Sequence, residues 1–394
     1  PPSPTPMPSP TPLRAASATP VPPLEFVPLT VGSTSYRIPD GQVMVYVPAG
    51  PFLMGTDDPD RSESSRPQHT VSLSAYWIDR TEITNEQYRL CVEAGGCPLP
   101  TERVYLDSPV YADYPAMYVT YEMAVAYCFY AAAQSGQVIG LPTEAQWEKA
   151  AGWDPVAQAQ RLYPWGNDRA TPERLRYIES NLNRPAAPVG SYPAGASAYG
   201  ALDMAGNVWE WVADWFDPNY YKRTGVSLNP AGPLTGSARV TRGGSWGVEA
   251  HLTVTTVRNP VRPSTASREI GFRCAMQADR PSSRSIVLTP LDLIRADLGV
   301  LDAARAEPAN DGPTLDEWVQ ALSAMEEALI NVDHATATAL TQQRLERLSA
   351  QRQNGLITAS LALRLGNGLR WILGEIEGPP ELAGPTPSAP TPTP

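Results

Sequence analysis

The chain has 394 residues, 42% of them hydrophobic and 8% aromatic, which is enough for more than one folded domain. Its formal net charge of −11 at pH 7 argues against binding to nucleic acid or to anionic membrane surfaces. No apolar run reaches the length of about 18 residues that a membrane-spanning helix requires, so the sequence predicts no such helix.

Proline is concentrated at the two ends of the chain, among serine, threonine and alanine. Such segments favour an extended, solvated chain. Residues 1–40 are therefore predicted to be an N-terminal linker or stalk, and residues 379–394 a proline- and threonine-rich tail. This kind of opening is typical of chain that follows a cleaved leader or a lipid-bearing cysteine, and it predicts an extracellular or cell-surface protein with a lipid anchor upstream as one option.

Residues 41–278 have the hydrophobic patterning of a folded domain. Alternating hydrophobic residues predict strands over 43–47, 52–55, 68–73 and 75–78. Thr84, Thr120 and Thr143 are suited to cap helices over 85–93, 121–133 and 144–151. Residues 153–242 show little periodicity, so we expect tryptophans, disulfides or a metal to pin this region internally.

Residues 285–378 predict a separate helical module, with helices over 291–305, 315–331, 335–351 and 356–376. Leu315, Trp318, Leu322 and Met325 form an apolar stripe on the second of them. Heptads are not sustained, which argues against a long coiled coil. The polar stretch 278–285 is the predicted boundary, so the module should be separable from the preceding domain.

The four cysteines are Cys91, Cys97, Cys128 and Cys274. Cys91 and Cys97 are close enough in sequence for a disulfide across a helix end and a turn. A zinc site is the alternative, but none of the three histidines has ligand spacing to a cysteine pair. Two disulfides in an oxidising compartment are the favoured interpretation.

Three tryptophans and four polar residues are concentrated in the sequence LDMAGNVWEWVADW (202–215). In an extended segment Trp209 and Trp211 face one side and Glu210 the other. Asp203 and Glu210, with the carbonyls of a bend at Gly206 and Val208, would supply the oxygen ligands that Ca²⁺ prefers. Capping and ion pairing are the alternatives for these carboxylates.

Eight segments, taken in order, resemble the formylglycine-generating enzyme/sulfatase-modifying-factor family. They are VYVPAGPFLMG (45–55), WIDRTEITNEQY (77–88), AYC (126–128), LPTEAQWEKAA (141–151), YPWGN (163–167), PVGSYPAGASAYGALDMAGNVWEW (188–211), RVTRGGSW (239–246) and GFRCA (271–275). The resemblance implies an α/β (α+β) domain of the C-type-lectin-like kind, with little regular secondary structure, followed here by the all-α module.

The resemblance also implies structural sites. The family's calcium ligands fall on Asp203, Gly206, Val208 and Glu210, the glycine and valine through their carbonyls. A second family calcium site begins at Asn181 and Leu182, and its later carboxylate falls in a loop that is shorter here. The family disulfide between the cysteines of AYC and GFRC corresponds to Cys128 and Cys274.

The family's oxidase chemistry does not carry over. Active members place two copper-binding cysteines after the GGS-aromatic motif, at positions that Val248 and Thr253 occupy here. Copper(I) needs soft thiolates there, so the sequence predicts no copper and no formylglycine-generating activity. Sulfoxide synthases of the same fold add a histidine-rich iron site, whereas the C-terminal module of this chain contains only His334.

Several side chains surround the position of the family's active-site groove: Ser245, Trp246, Arg258, Arg262 and Arg273. They could bind a carboxylate or a sugar hydroxyl, or the arginines could pair with acidic residues and tie loops together. The second interpretation is favoured for the arginines, and Trp246 with Arg258 and Arg262 is the best candidate for a ligand-contacting patch.

These patterns together predict a non-catalytic extracellular protein that works in a cell-envelope or surface assembly with protein partners. The alternative is a lectin-like module that binds a glycan or a peptide. An enzyme of chemistry not located in the sequence is the weakest alternative.

Overall fold

The computed structural model describes residues 29–37, 40–180, 186–223, 227–278, 294, 301, 312–330 and 333–354. Its largest sheet has five antiparallel strands in the order β1-β2-β5-β14-β6. These strands are β1 (Thr34–Arg37), β2 (Gln42–Val47), β5 (Tyr76–Asp79), β6 (Ile139–Gly140) and β14 (Ala275–Gln277). Because β1 belongs to this sheet, the fold begins before residue 41, and the prediction that residues 1–40 are all linker is wrong for 34–37.

The remaining strands of the described chain form three smaller sheets. One has the order β10-β4-β3, a second β12-β11-β9-β13, and the third is the pair β7-β8. Their bounds are β3 (Gly50–Met54), β4 (His69–Leu73), β7 (Trp153–Asp154), β8 (Ala159–Gln160), β9 (Trp209–Trp215), β10 (Ser227–Leu228), β11 (Arg239–Arg242), β12 (Asn259–Val261) and β13 (Ile270–Phe272). Several have only two to four residues, which agrees with the predicted scarcity of regular structure.

Three helices pack against these sheets: α1 (Asn85–Glu93), α2 (Tyr121–Ser135) and α3 (Glu144–Gly152). Each begins after the threonine predicted as its N-cap, and the Thr84, Thr120 and Thr143 side chains accept hydrogen bonds from backbone N–H groups in the first turn. A single short turn, α4 (Tyr220–Arg223), follows β9. The predicted strands and helices of this domain are confirmed to within a few residues.

The core contains an unusual number of buried charges. Trp147, Trp211 and Phe272 are fully buried among aliphatic residues of the sheets and α3. Arg37 bridges two buried carboxylates, with contacts of 2.6 Å each to Asp40 and Asp79. Buried ions in a domain this poor in long strands connect segments that no backbone ladder joins.

Both disulfides are present in the structure: Cys91–Cys97 at the end of α1, and Cys128–Cys274 between α2 and the β13–β14 connection. The second cross-links residues 146 positions apart. The predicted pairings are therefore confirmed.

Two helices of the C-terminal region lie within the described residues, α5 (Gly312–Ile330) and α6 (His334–Gln353). Trp318 and Leu322 of the predicted apolar stripe are buried, and the Trp318 indole donates a hydrogen bond of 2.9 Å to Gln351. The helices predicted over 291–305 and 356–376 lie outside the described residues, apart from positions 294 and 301, and the separability of the module stays a prediction. None of the helices described is long and apolar enough to cross a bilayer.

Candidate functional site

The loop that follows β11 contains Val248 and Thr253, the positions that the sequence resemblance assigns to the family's copper-binding cysteines. Gly244 has a φ of +80°, and a side-chain carbon there would lie 2.7 Å from Thr253, so glycine is required for the two loop segments to meet. Thr253 is buried, and its hydroxyl donates to the carbonyl of Ala250 at 2.9 Å. Val248 packs against the hydrophobic core. Neither side chain can supply a thiolate, and all four cysteines are in disulfides.

Three of the predicted groove residues are buried and cannot line a groove. Ser245 donates a hydrogen bond of 2.8 Å to Glu269. Arg258 contacts both oxygens of Glu144, at 2.7 and 2.8 Å. Arg273 contacts both oxygens of Glu210, at 2.7 and 2.6 Å. The ligand-binding interpretation is therefore wrong for Ser245, Arg258 and Arg273, and the structural interpretation of the two arginines is confirmed.

The electrostatics of the two arginines agree with a structural role. Burial alone would lower the pKa of each guanidinium, but the paired glutamate more than offsets this effect and raises the pKa. Arg273 also donates to the carbonyls of Asp79, Arg80 and Leu202. Its guanidinium therefore joins β5, β9 and the chain between them.

A partly exposed surface lies beside this loop and contains Trp246, one of the two remaining predicted groove residues. We call it the aromatic patch; its members are Tyr105, Tyr111, Tyr118, Trp246 and Arg268. The Tyr105 ring lies 4.8 Å from that of Tyr111 and 6.0 Å from that of Tyr118, between ring centroids. The guanidinium of Arg268 lies 4.9 Å from the centre of the Trp246 ring.

All four rings of the patch pack on one small buried cluster. That cluster is Tyr114, Met117, Ala186 and Val208. The Tyr118 N–H also donates to the carbonyl of Ser267, which places it next to Arg268. The four rings of the patch are half-buried, and their neighbours Val104 and Val110 are 60% and 74% exposed. Arg262, the other remaining predicted groove residue, is exposed.

Sequence reasoning missed the three tyrosines and Arg268. The segment 98–118 has no period of 2 or 3.6 to place its side chains on a face, and it folds mostly as turns. The available signal was compositional: four tyrosines, at 105, 111, 114 and 118, between two predicted helices.

The predicted calcium ligands Asp203 and Glu210 are both buried, at the bend and on β9. Gly206 has a φ of +76°, and a side-chain carbon there would meet the carbonyl of Arg176 at 2.2 Å, so this bend requires glycine. Asp203 accepts a hydrogen bond of 2.6 Å from the Gly190 N–H. Glu210 accepts from the Trp147 indole at 2.8 Å in addition to its contacts with Arg273. Asn181 and Leu182 of the second predicted site lie outside the described residues.

A third carboxylate, which the sequence did not indicate, adjoins these two. Glu82 is fully buried, and its Oε1 accepts a hydrogen bond of 3.0 Å from Asn207. Its Oε2 is buried and accepts no hydrogen bond from a donor in the described chain, although the Glu82 and Asp203 side chains lie within hydrogen-bonding reach of each other. Burial raises the pKa of Glu82 well above its usual value, and the charges of Asp203 and Glu210 raise it further. Burial also raises the pKa of Asp203 to about 6.

The positive charge of Arg273 thus acts on all three buried carboxylates. Within the described ranges no three His, Cys, Asp or Glu side chains are arranged to hold one metal ion. A cation at Asp203 and Glu82 would therefore need backbone carbonyls, such as those of Gly206 and Val208, to complete its coordination. The Glu82 oxygen that accepts no hydrogen bond from a donor is the observation that fits such an ion.

Fold and site together define an α+β domain of small sheets, in which buried ion pairs and disulfides hold irregular loops. Residues 33–278 match the family model described as "Sulfatase-modifying factor enzyme 1-like domain", and the chain belongs to this family. The resemblance found in the sequence is thereby confirmed, and so is the mixed α+β class.

Individual relatives of the chain are enzymes. It is 35% identical to hercynine oxygenase of Mycolicibacterium smegmatis over 59% of its own length and 60% of that protein, so it spans less than two thirds of this relative. It is 32% identical to formylglycine-generating enzyme of Thermomonospora curvata, covering 59% of this chain and 92% of that enzyme. Among solved structures, PvdO from Pseudomonas aeruginosa matches with a TM-score of 0.55 and 26% identity, over 63% of this chain and 99% of that one.

Proposed function

We propose that this chain is a non-catalytic binding protein built on the formylglycine-generating-enzyme scaffold, with the aromatic patch as its ligand-binding surface. The observation that carries the proposal is the contrast around the loop after β11. The positions of the two family cysteines hold Val248 and the buried Thr253, while the adjoining surface presents aromatic rings and a guanidinium. Half-buried tyrosines and tryptophans are the side chains that most often anchor a bound partner.

The competing candidate is an enzyme, and the names of the relatives support it. Such an enzyme would need chemistry other than a copper thiolate centre, because no cysteine is free. In the chain described, Ser245 contacts Glu269, and the buried Arg258 and Arg273 are paired with glutamates. These contacts favour a structural role for the polar residues of the loop, which supports binding over catalysis.

Ligand-observed NMR with the full chain tests the proposal. The probes are short peptides without consecutive or alternating prolines, and neutral and acidic oligosaccharides. We expect at least one probe to bind the wild type and to lose about tenfold in affinity in Trp246→Ala, the size expected when an aromatic anchor is truncated. Phe129→Ala is the matched control, since Phe129 is an aromatic residue 72% exposed on α2. Probes that bind both variants and the wild type equally, or no binding at all, would overturn the proposal.

We also propose that a calcium ion binds beside Asp203, with Glu82 as its second carboxylate and the carbonyls of Gly206 and Val208 as further ligands. Hard oxygen ligands of this kind suit Ca²⁺. The Glu82 oxygen without a donor supports this ligand set, because a cation beside it would favour the ionised form of a carboxyl whose pKa burial raises. Glu210 keeps its role as the partner of Arg273. The ion would join β9 to the segment before α1 and stabilise the fold without taking part in a reaction.

We propose an extracellular or cell-surface location, in which the protein belongs to an envelope or surface assembly and α5 and α6 contact a protein partner. Two disulfides are compatible with an oxidising compartment. The proline-rich residues 379–394 would serve as a spacer in such an assembly. Detection of the native protein in the envelope fraction, with both disulfides formed, tests this location.

A further inference from the structure

The aromatic patch resembles, in its chemistry, surfaces that bind proline-rich segments, and this chain carries such a segment. Residues 1–12 read PPSPTPMPSPTP, with proline at nearly every second position. We propose that the aromatic patch binds residues 1–12 of its own chain as a polyproline II segment. The inference rests on the proposed binding function of the patch and names its ligand.

The geometry of the rings supports a proline-rich ligand. Tyr105 and Tyr118 lie nearly parallel, at 20° and 6.0 Å, and Tyr111 meets Tyr105 edge-on at 4.8 Å. Rings at different angles on one surface form ridges and grooves between them. Proline rings pack in such aromatic-lined grooves, and a polyproline II segment loses little conformational entropy when it binds because it is already extended.

The charge of the patch is compatible with an uncharged occupant. Arg268 already faces the Trp246 ring. Burial and the neighbouring tyrosines raise the pKa of Tyr105, and the positive charge of Arg268 partly offsets this effect. Residues 1–12 contain no charged side chain, so their binding leaves the Arg268–Trp246 contact in place.

The connection to the domain makes the N-terminal segment a better occupant than residues 379–394. The described chain begins at Leu29, and β1 follows five residues later as part of the main sheet. The stretch between Pro12 and Leu29 can extend to roughly 50 Å, at about 3.1 Å per residue. A domain of this size has a radius of gyration of about 18 Å. The tether therefore reaches the patch and keeps residues 1–12 at millimolar effective concentration.

Photo-crosslinking in the full chain tests the inference. The photoreactive amino acid p-benzoylphenylalanine replaces Tyr105 in one variant and Phe129 in the control, and cross-linked peptides are identified by mass spectrometry. We expect position 105 to cross-link to residues 1–12, and position 129 to do so at least tenfold less. Cross-links within one chain would show binding in cis, and cross-links between chains would show that a second copy supplies the segment. Cross-links from position 105 only to residues 379–394, or to neither end, would overturn the inference.

A peptide titration provides an independent measurement. Labelled PPSPTPMPSPTP is titrated with a full-length variant that carries alanine in place of each proline of residues 1–12, so that the chain's own segment does not compete, and with the same variant carrying Tyr105→Ala. A peptide with alanine at each proline serves as control. We expect roughly tenfold weaker binding for Tyr105→Ala and for the alanine peptide. Equal binding of both peptides would overturn the inference. If the peptide does not bind while the binding of an NMR probe still depends on Trp246, only the ligand assignment is wrong and the proposed binding function stands.

Discussion

Arg273 contacts both carboxylate oxygens of Glu210 through hydrogen bonds of 2.7 and 2.6 Å, and the side chains of both residues are 0% exposed. The pair joins β9 to the segment between β13 and β14. Its two charges have lost their hydration, so each depends on the other for compensation. The buried pair is therefore much more sensitive to the loss of one partner than an ion pair on the surface.

Arg273→Met should lower the free energy of unfolding by about 3–5 kcal/mol, because it leaves the Glu210 charge buried and uncompensated. Urea unfolding of the variant measures this loss. The control is Arg103→Met, which removes a surface ion pair to Asp107 in which both side chains are more than half exposed, and it should cost less than about 1 kcal/mol. Equal losses in the two variants would contradict a structural role for the buried pair.

The chain should show no formylglycine-generating activity. Val248 and Thr253 cannot replace thiolates, and the four cysteines are held in disulfides. The measurement is Cu(I) binding, followed by mass spectrometry of a cysteine-containing sulfatase peptide after incubation with the chain. A known formylglycine-generating enzyme is the positive control. Stoichiometric copper binding with conversion of the peptide would show that the site has thiol-independent chemistry.

Sequence reasoning located most of this architecture because its signals were local. Thr84, Thr120 and Thr143 predicted three helix starts, and alternating hydrophobic residues predicted strands such as 43–47. The aromatic patch was not predictable in this way. Tyr105 and Trp246 are 141 positions apart, and both pack on the same small buried cluster. The surface there is made of turns, where no period in the sequence relates one residue to the other.

The partners of the buried charged residues could not be predicted from the sequence either. Arg258 and Glu144 are 114 positions apart, and many other acidic residues could have paired with this arginine. Glu82 has the same limitation: its role depends on how closely β5 and β9 approach, which depends on the whole fold. The resemblance placed Glu210 among metal ligands, whereas the structure shows that Arg273 already occupies its oxygens.

The two disulfides should contribute unequally to stability. Cys128–Cys274 spans 146 positions and Cys91–Cys97 only 6. In the chain-entropy model the longer loop corresponds to about 5 kcal/mol and the shorter to about 2 kcal/mol, and measured values are often smaller. Double alanine variants of each pair, compared by urea unfolding, check the order. A larger loss for the Cys91/Cys97 variant would show that local packing, and not loop entropy, dominates.

The stability of the chain should fall as pH rises from about 4 to 7, in part because of Asp214. Burial raises the pKa of this carboxyl to about 7; the charge of Glu144 raises it too, while the Glu144 N–H, Arg258 and Arg242 lower it. The folded state therefore binds the proton more tightly than the unfolded state, whose pKa is about 3.9. The stabilisation is complete below the unfolded pKa and is lost progressively as the pH rises to the folded pKa, by up to about 4 kcal/mol.

Asp214→Asn isolates this contribution, since asparagine keeps an acceptor for the Glu144 N–H and carries no charge. We expect the variant to lose less stability than the wild type between pH 4 and 7, measured by urea unfolding at a series of pH values. Asp107→Asn is the control, because Asp107 is half exposed. If both variants follow the wild-type pH dependence, Asp214 does not titrate in this range.

Calcium should raise the melting temperature of the wild type, and removal of calcium with a chelator should lower it. An ion that binds only the folded state adds RT ln(1 + [Ca²⁺]/Kd), about 2.7 kcal/mol at a hundredfold excess over Kd. Glu82→Gln should abolish this shift, because it removes a charged ligand while its amide can donate a hydrogen bond to Asp203. The same variant should melt higher than the wild type in chelator, since it also removes the repulsion between two buried carboxylates.

Two further variants separate the ion from the packing around it. Glu210→Gln should be destabilised with and without calcium alike, because its partner Arg273 is left uncompensated. Glu122→Gln, an exposed position on α2, should behave as the wild type. Terbium luminescence excited through tryptophan reports binding directly, since Trp209 neighbours the site in sequence. A wild type without any chelator-dependent shift or terbium signal would mean that Glu82 and Asp203 share a proton instead of a metal ion, and a shift that survives in Glu82→Gln would remove Glu82 from the ligand set.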